Sequence, residues 1–218
     1  MRQLFPPASN TIARVSLTLG LLLPAVALLA GSAISRAPYN TKVDIPLDQP
    51  VPFSHEHHVN ELGLDCQYCH TSVEKGPKAG LPPTHTCMGC HSQIWTNSPL
   101  LEPVRKSFQT GEPIKWNLVN SVPDFVYFDH SIHVKKGIGC TECHGPVHEM
   151  QITYKAKPFH MAWCLQCHRK PEEFIRPKEE VMNPHYSHPK NHVEVGRKLV
   201  DEYGIKVEQL TDCSICHR

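Results

Sequence analysis

All ten cysteines of this 218-residue chain fall in five C-x-x-C-H motifs: Cys66/Cys69/His70, Cys87/Cys90/His91, Cys140/Cys143/His144, Cys164/Cys167/His168 and Cys213/Cys216/His217. Two thiols three apart can form thioethers with the vinyl groups of one porphyrin, and a histidine directly after the second thiol reaches the iron from one side. Structural zinc, a disulfide framework and thioredoxin-like redox pairs each explain C-x-x-C. None of them gives a reason for a histidine after all five pairs. The spacing therefore predicts five covalent haem c groups, with His70, His91, His144, His168 and His217 as proximal ligands.

A second pattern surrounds the first. Phe53-Ser54-His55-Glu56-His57-His58-Val59 precedes Cys66, and Phe128-Asp129-His130-Ser131-Ile132-His133-Val134 precedes Cys140. Each copy reads F-x-H-x-x-H-V, then a glycine and an aliphatic residue, then C-x-x-C-H, which marks an internal duplication. Imidazoles three apart share one face of a helical turn and can serve two neighbouring irons. His55, His58, His130 and His133 are thus the expected distal ligands, and His57, out of phase, a surface residue. For the fifth iron Met150 and Met161 compete with His148, His160, His188 and His192. Met150 is preferred and Met161 comes next, since Met161 lies close enough to Cys164 to pack on the proximal side. His85, His148, His160 and His185 are otherwise expected at the surface or bonded to propionates. Tyr186 to Val193 has the look of a degenerate third copy.

With 20 prolines, 12 glycines and 7% aromatic residues, the chain is poorly supplied for a large side-chain core. The expected fold is mainly irregular with short α-helices, a multihaem cytochrome c built around stacked haems, plus one N-terminal transmembrane helix. Folding should then depend on haem attachment. The formal charge of +1 turns negative once the propionates of five haems add about ten charges. No basic run suggests nucleic acid.

Residues 15–35 carry no charge and lie between Arg14 and Arg36, a length suited to a membrane span, with a signal peptide as the other reading. Residues 1–14 are then a cytoplasmic N-terminus, 36–52 a proline-rich linker, and 53–218 a periplasmic haem domain. That domain divides into two-haem blocks at 53–95 and 124–170 and a single-haem segment at 171–218. Orientation follows weakly from Arg2 and Arg14 against Arg36 and Lys42, and more firmly from haem attachment on the outer side of the bacterial inner membrane. Asn191-His192-Val193-Glu194 resembles a capping box opening a helix with Val195, Leu199, Val200 and Tyr203 on one face and Gly204 at its stop.

Taken together, the span, the five motifs, the paired repeats, the Trp116 to Phe128 lead-in, Cys143 to Val147, Met161-Ala162-Trp163-Cys164 and Thr211 to Arg218 resemble the pentahaem, cytochrome c3/c7-like subunit of bacterial alternative complex III. The resemblance implies a subunit with no catalysis of its own that relays electrons from quinol oxidation. Its implied partners are a polytopic quinol-oxidising membrane subunit, an iron–sulfur subunit related to molybdopterin enzymes, and a monohaem cytochrome c. The implied acceptors are a soluble cytochrome c, a blue copper protein or a terminal oxidase. Two other readings stand beside it: a membrane-anchored multihaem quinol dehydrogenase, and an oxyanion reductase, which would need one open iron face.

Overall fold

The computed structural model describes residues 5–217; Arg2, used above for orientation, and Arg218, the last residue of the closing motif, lie outside them. Among the described residues there is no strand, only helices, 3-10 turns and the isolated bridges Val43–Lys155, Pro46–Tyr154, Val126–His217 and Ile138–Ile175. The chain divides into two units, Met1–Lys42 and Val43–Arg218.

The first unit is α1 (Ser9–Arg36), followed by the short α2 (Pro38–Thr41). At 28 residues, α1 is about 42 Å long, and it is apolar enough to cross a membrane. It begins before the uncharged run and includes Arg14. Pro24 does not end it, and the hydroxyls of Ser16, Thr18 and Ser35 donate back to Ala13, Arg14 and Ser32 carbonyls, which suits apolar surroundings.

The second unit starts at Val43, within the stretch 36–52 expected to be a linker. Asp44 N–H donates to Lys155 O, and Asn117 exchanges hydrogen bonds with Gln49 and Asp48 O. Val51, 5% exposed, packs with Leu101 and Val104. An extended strip with satisfied backbone groups and a buried valine is part of the fold, because unpaired backbone would otherwise be costly.

Each motif opens a short helix at its first cysteine or carries it within one: α3 (Cys66–Cys69), α4 (Thr84–His91), α7 (Cys140–His144), α8 (Met161–Arg169) and α10 (Cys213–Cys216). The side-chain core is small. Beside Val51, Leu101 and Val104, one cluster joins Val73, Val134 and Val181, and another joins Ile175, Leu199 and Val200. The last belongs to α9 (His192–Glu202), whose expected apolar face is buried and whose stop at Gly204 takes φ +61°. The capping box does not form: Asn191 makes no side-chain cap, and Glu194 pairs with Lys198 at 3.0 Å. Gly196 is required by packing, since a Cβ there would lie 2.0 Å from Glu172 O.

The two F-x-H-x-x-H copies differ in one respect. The second is the α-helical α6 (His130–Lys135), whereas the first winds as a π-helix over Glu56–Glu61. Val59 is followed by three residues before Gly63, but Val134 by two before Gly137. A π turn absorbs one inserted residue without changing the helix ends. Both copies then reach a left-handed glycine, φ +69° at Gly63 and +81° at Gly137.

A candidate multihaem ligand array

Ligand geometry begins with the ring nitrogen that does not face iron. In seven of the nine repeat and motif histidines, Nδ1–H donates to a backbone carbonyl: His58 to Ser54, His70 to Gly80, His91 to Ile94, His130 to Pro77, His133 to Asp129, His168 to Leu210 and His217 to Phe125, at 2.7–3.2 Å. A carbonyl can only accept, so each bond sets the tautomer that leaves Nε2 with its lone pair. The other two use side chains. His55 Nδ1 lies 3.1 Å from Thr153 Oγ1, and His144 Nδ1 lies 3.2 Å from the Asn120 amide. Asn120 Oδ1 is buried without a partner. Exchanging the two ends of that amide lets Oδ1 accept from His144 Nδ1–H and removes the orphan. Outer partners of this kind hold metal-bound imidazoles in orientation and raise their basicity.

The rings themselves come together in pairs. His55 faces His70 with ring centres 6.5 Å apart and planes 8° off parallel, and His130 faces His144 at 6.3 Å and 3°. His58 faces His91 at 6.2 Å and 63°, and His133 faces His168 at 6.2 Å and 32°. Two metal–nitrogen bonds of about 2 Å plus about 1.1 Å from each ring centre to its nitrogen put imidazoles on opposite sides of one iron about 6 Å apart. All four pairs fit.

One phenylalanine orients both imidazoles of each copy. Phe53 meets His55 edge-on at 5.0 Å and stacks on His58 at 4.4 Å. Phe128 does the same to His130 at 4.7 Å and His133 at 4.6 Å. The first residue of the F-x-H-x-x-H pattern thereby acquires a reason: its ring sets two imidazole planes in different directions.

Burial holds these imidazoles neutral. It lowers His55 to about 4, helped by His70, His58 and His144, and lowers His144 to about 4, helped by His130 and His70. His58 and His133 are lowered for the same first reason. Burial likewise pushes the Cys143 thiol up to about 12 and Cys167 up to about 11. Uncharged thioethers suit such places better than thiolates do.

Two of the ten expected thioether cysteines stand apart from the rest. Cys90 and Cys213 are exposed, whereas the other eight are half-buried. Helix α4 turns Cys87 and Met88 onto Val51, Leu101 and Val104, and leaves Gly89 and Cys90 on its open side. The physical reason at Cys90 is that the few apolar side chains available near α4 gather on the Cys87 side, so the protein itself builds no wall over the second sulfur.

The fifth motif is different in another way. His217 stacks on Phe125 at 5.9 Å, and among the described residues no imidazole faces it. Met150 is buried at 3% exposure, its carbonyl accepting from Glu56 N–H beside the first repeat, and it makes no hydrogen bond with the fifth motif. The structure places Met150 beside the first repeat. Met161 is 63% exposed. His160 accepts from Trp163 N–H at the start of α8, and His188 Nε2 lies 3.1 Å from Glu142. His148 packs edge-on against His185, and His192 lies beside His188. His57 is exposed and pairs with Glu61 at 2.6 Å. Thr153 and Asn120 were not marked by any motif, because they reach their imidazoles from distant sequence.

Residues 126–218 match the family described as "Cytochrome c7 and related cytochrome c". A curated relative, the "Menaquinone reductase, multiheme cytochrome c subunit" of Nitratidesulfovibrio vulgaris, is 39% identical over 98 residues, which are 44% of this chain and 46% of the relative. The chain thus spans about half the length of that relative. Motif, facing imidazoles and family match agree that this is a mainly helical and irregular chain carrying a multihaem cytochrome c7-like domain.

Proposed function

We propose that all five motifs carry haem c and that the chain is a one-electron relay in a quinone-linked membrane complex. The observation that carries this reading is the set of four facing imidazole pairs, His55/His70, His58/His91, His130/His144 and His133/His168. Haem supplies Fe(III)/Fe(II) cycling, and an iron held on both faces exchanges electrons without binding substrate. The chain's own residues supply spacing, neutral ligands and a dry setting. The span α1 would anchor it, with residues 43–218 on the periplasmic side.

The finer reading is an alternative complex III-like assembly, in which electrons leave quinol in a polytopic partner and pass through this chain toward a monohaem cytochrome c, a blue copper protein or an oxidase. An iron–sulfur subunit related to molybdopterin enzymes belongs to the same assembly. The relative's name supports a second reading, in which the relay feeds electrons into menaquinone instead. Purification from native membranes, identification of the co-purifying chains and intact mass of this subunit test both. Five haem increments, low-spin spectra from the four centres with facing imidazoles and a quinone-reactive membrane partner are expected. Unmodified thiols, or a cytochrome that purifies without membrane partners, would refute the proposal. Direction is read by whether added quinol reduces the haems or reduced haems reduce added quinone.

A further inference from the structure

The duplication predicts two haem pairs but leaves open how the halves meet. His55 and His58 adjoin in one repeat, so the first and second motifs are neighbours, and His130 and His133 likewise make the third and fourth neighbours. Across the halves, the contacts converge on one place. Met182 touches both: its carbonyl lies 3.8 Å from Cys66 Sγ and its Sδ lies 3.8 Å from Cys140 Sγ. One loop serves the same two centres, with Gly80 O accepting from His70 while Pro77 O accepts from His130 and Gly76 O from Ser131 N–H. Val73 of the first half packs with Val134 and Val181, and Met182 lies against them.

The ends are equally marked. The second motif is packed away from the joint, with Cys87 and Met88 against Val51, Leu101 and Val104. The fifth sits on the fourth: His168 Nδ1–H donates to Leu210 O, just ahead of Cys213. Tyr127 N–H, in the approach to the second repeat, donates to Cys216 O. The two exposed motif cysteines, Cys90 and Cys213, belong to these two end motifs.

We propose that the haems run in the order second, first, third, fourth, fifth, that electrons cross between the halves where the first and third motifs meet, and that Met182 is the positioning residue packed across that joint. One electron leaves the Fe(II) centre on one side, which becomes Fe(III), and reduces the Fe(III) centre on the other, with no proton or bond exchanged. The external electron donor and acceptor then meet opposite ends, one at the second motif and one at the fifth.

This order rests on the five-haem reading, and the test separates the two. Haem number is taken from intact mass of the full chain, and haem order from an experimental structure of the native complex. The expected result is five haems, with those on Cys66/Cys69 and Cys140/Cys143 as the closest pair between the halves and Met182 against both. Fewer than five haems would overturn the functional reading. Five haems joined through any other pair would overturn only the order. In the full chain, Met182→Ala should shift the EPR g-values of the first and third centres and leave the second and fifth unchanged. Unaltered spectra, or shifts at the chain's ends, would remove Met182 from the joint; should that variant fail to mature, the wild-type structure alone decides.

Discussion

The imidazoles of His130 and His144 stand 6.3 Å apart and within 3° of parallel, although one begins a helix and the other ends the next. Pro77 O and Asn120 hold them from opposite sides through their Nδ1 atoms. The two rings would hold one haem iron between them. His130→Ala should therefore open one face of one centre. One low-spin EPR signal should become high-spin, and the reduced protein should bind carbon monoxide at one haem more than the unaltered chain does. A variant with unaltered spin state and carbon monoxide uptake would show that His130 is not a ligand.

Phe128 touches both distal imidazoles of its repeat. Aromatic contacts of this kind contribute about 0.5–1.5 kcal/mol each beyond burial. Phe128→Ala should thus lower stability by about 1–3 kcal/mol, seen as a lower thermal midpoint. It should also broaden the EPR signals of the two centres served by His130 and His133. Phe53→Ala should act in the same way on the first pair of haems alone.

Two effects oppose each other in Gly196→Ala. Alanine in a helix interior is favoured over glycine by about 1 kcal/mol. Here its Cβ would meet the Glu172 carbonyl at 2.0 Å, and backbone atoms cannot turn aside as a side chain would. The clash should win, with a net loss of about 1–3 kcal/mol in thermal or denaturant unfolding. Haem spectra should stay unchanged, because α9 carries none of the paired imidazoles.

Acid should attack the buried ligands late. His55 and His144 have their folded-state ionisation lowered to about 4 by burial, against about 6.5 for a free imidazole. A depressed pKa means that the neutral form's stabilisation is fully present above about 6.5 and is lost as pH falls toward about 4. Absorption titration should show low-spin bands persisting through pH 5 and high-spin character growing near pH 4 and below.

The boundary at Val43 can be tested by truncation. A chain beginning at Val43 behind a cleavable export signal, produced without its partners, should leave the membrane fraction with its haem spectrum intact. One beginning at Phe53 loses Val51 and the bonds of Asp44, Asp48 and Gln49 to Lys155 and Asn117. It should mature with lower yield and a lower thermal midpoint.

Much of the proposed ligand array is legible in sequence because covalent haem attachment would impose a rigid local code. Two thiols and a histidine at one spacing, preceded by imidazoles three apart, need no tertiary information to be recognised. The apolar run that forms α1 is equally local, and so is the face of α9. The π turn at Glu56–Glu61 was written there too, as one residue more between Val59 and Gly63 than between Val134 and Gly137, although the count alone does not say how the chain absorbs it. Other features depend on residues far apart in the chain. Thr153 and Asn120 fix the tautomers of His55 and His144, residues 44–51 pack onto 117 and 153–155, and Met182 lies against Cys66 and Cys140. The motif is the same at Cys87/Cys90 as at Cys140/Cys143, yet Cys90 is exposed and Cys143 half-buried, a difference that spacing does not carry. Spacing within the chain determined which side chains are the candidates for holding haem iron in this protein. Only the folded chain decided which pairs face each other and where the halves join, because those contacts exist only once distant segments have packed.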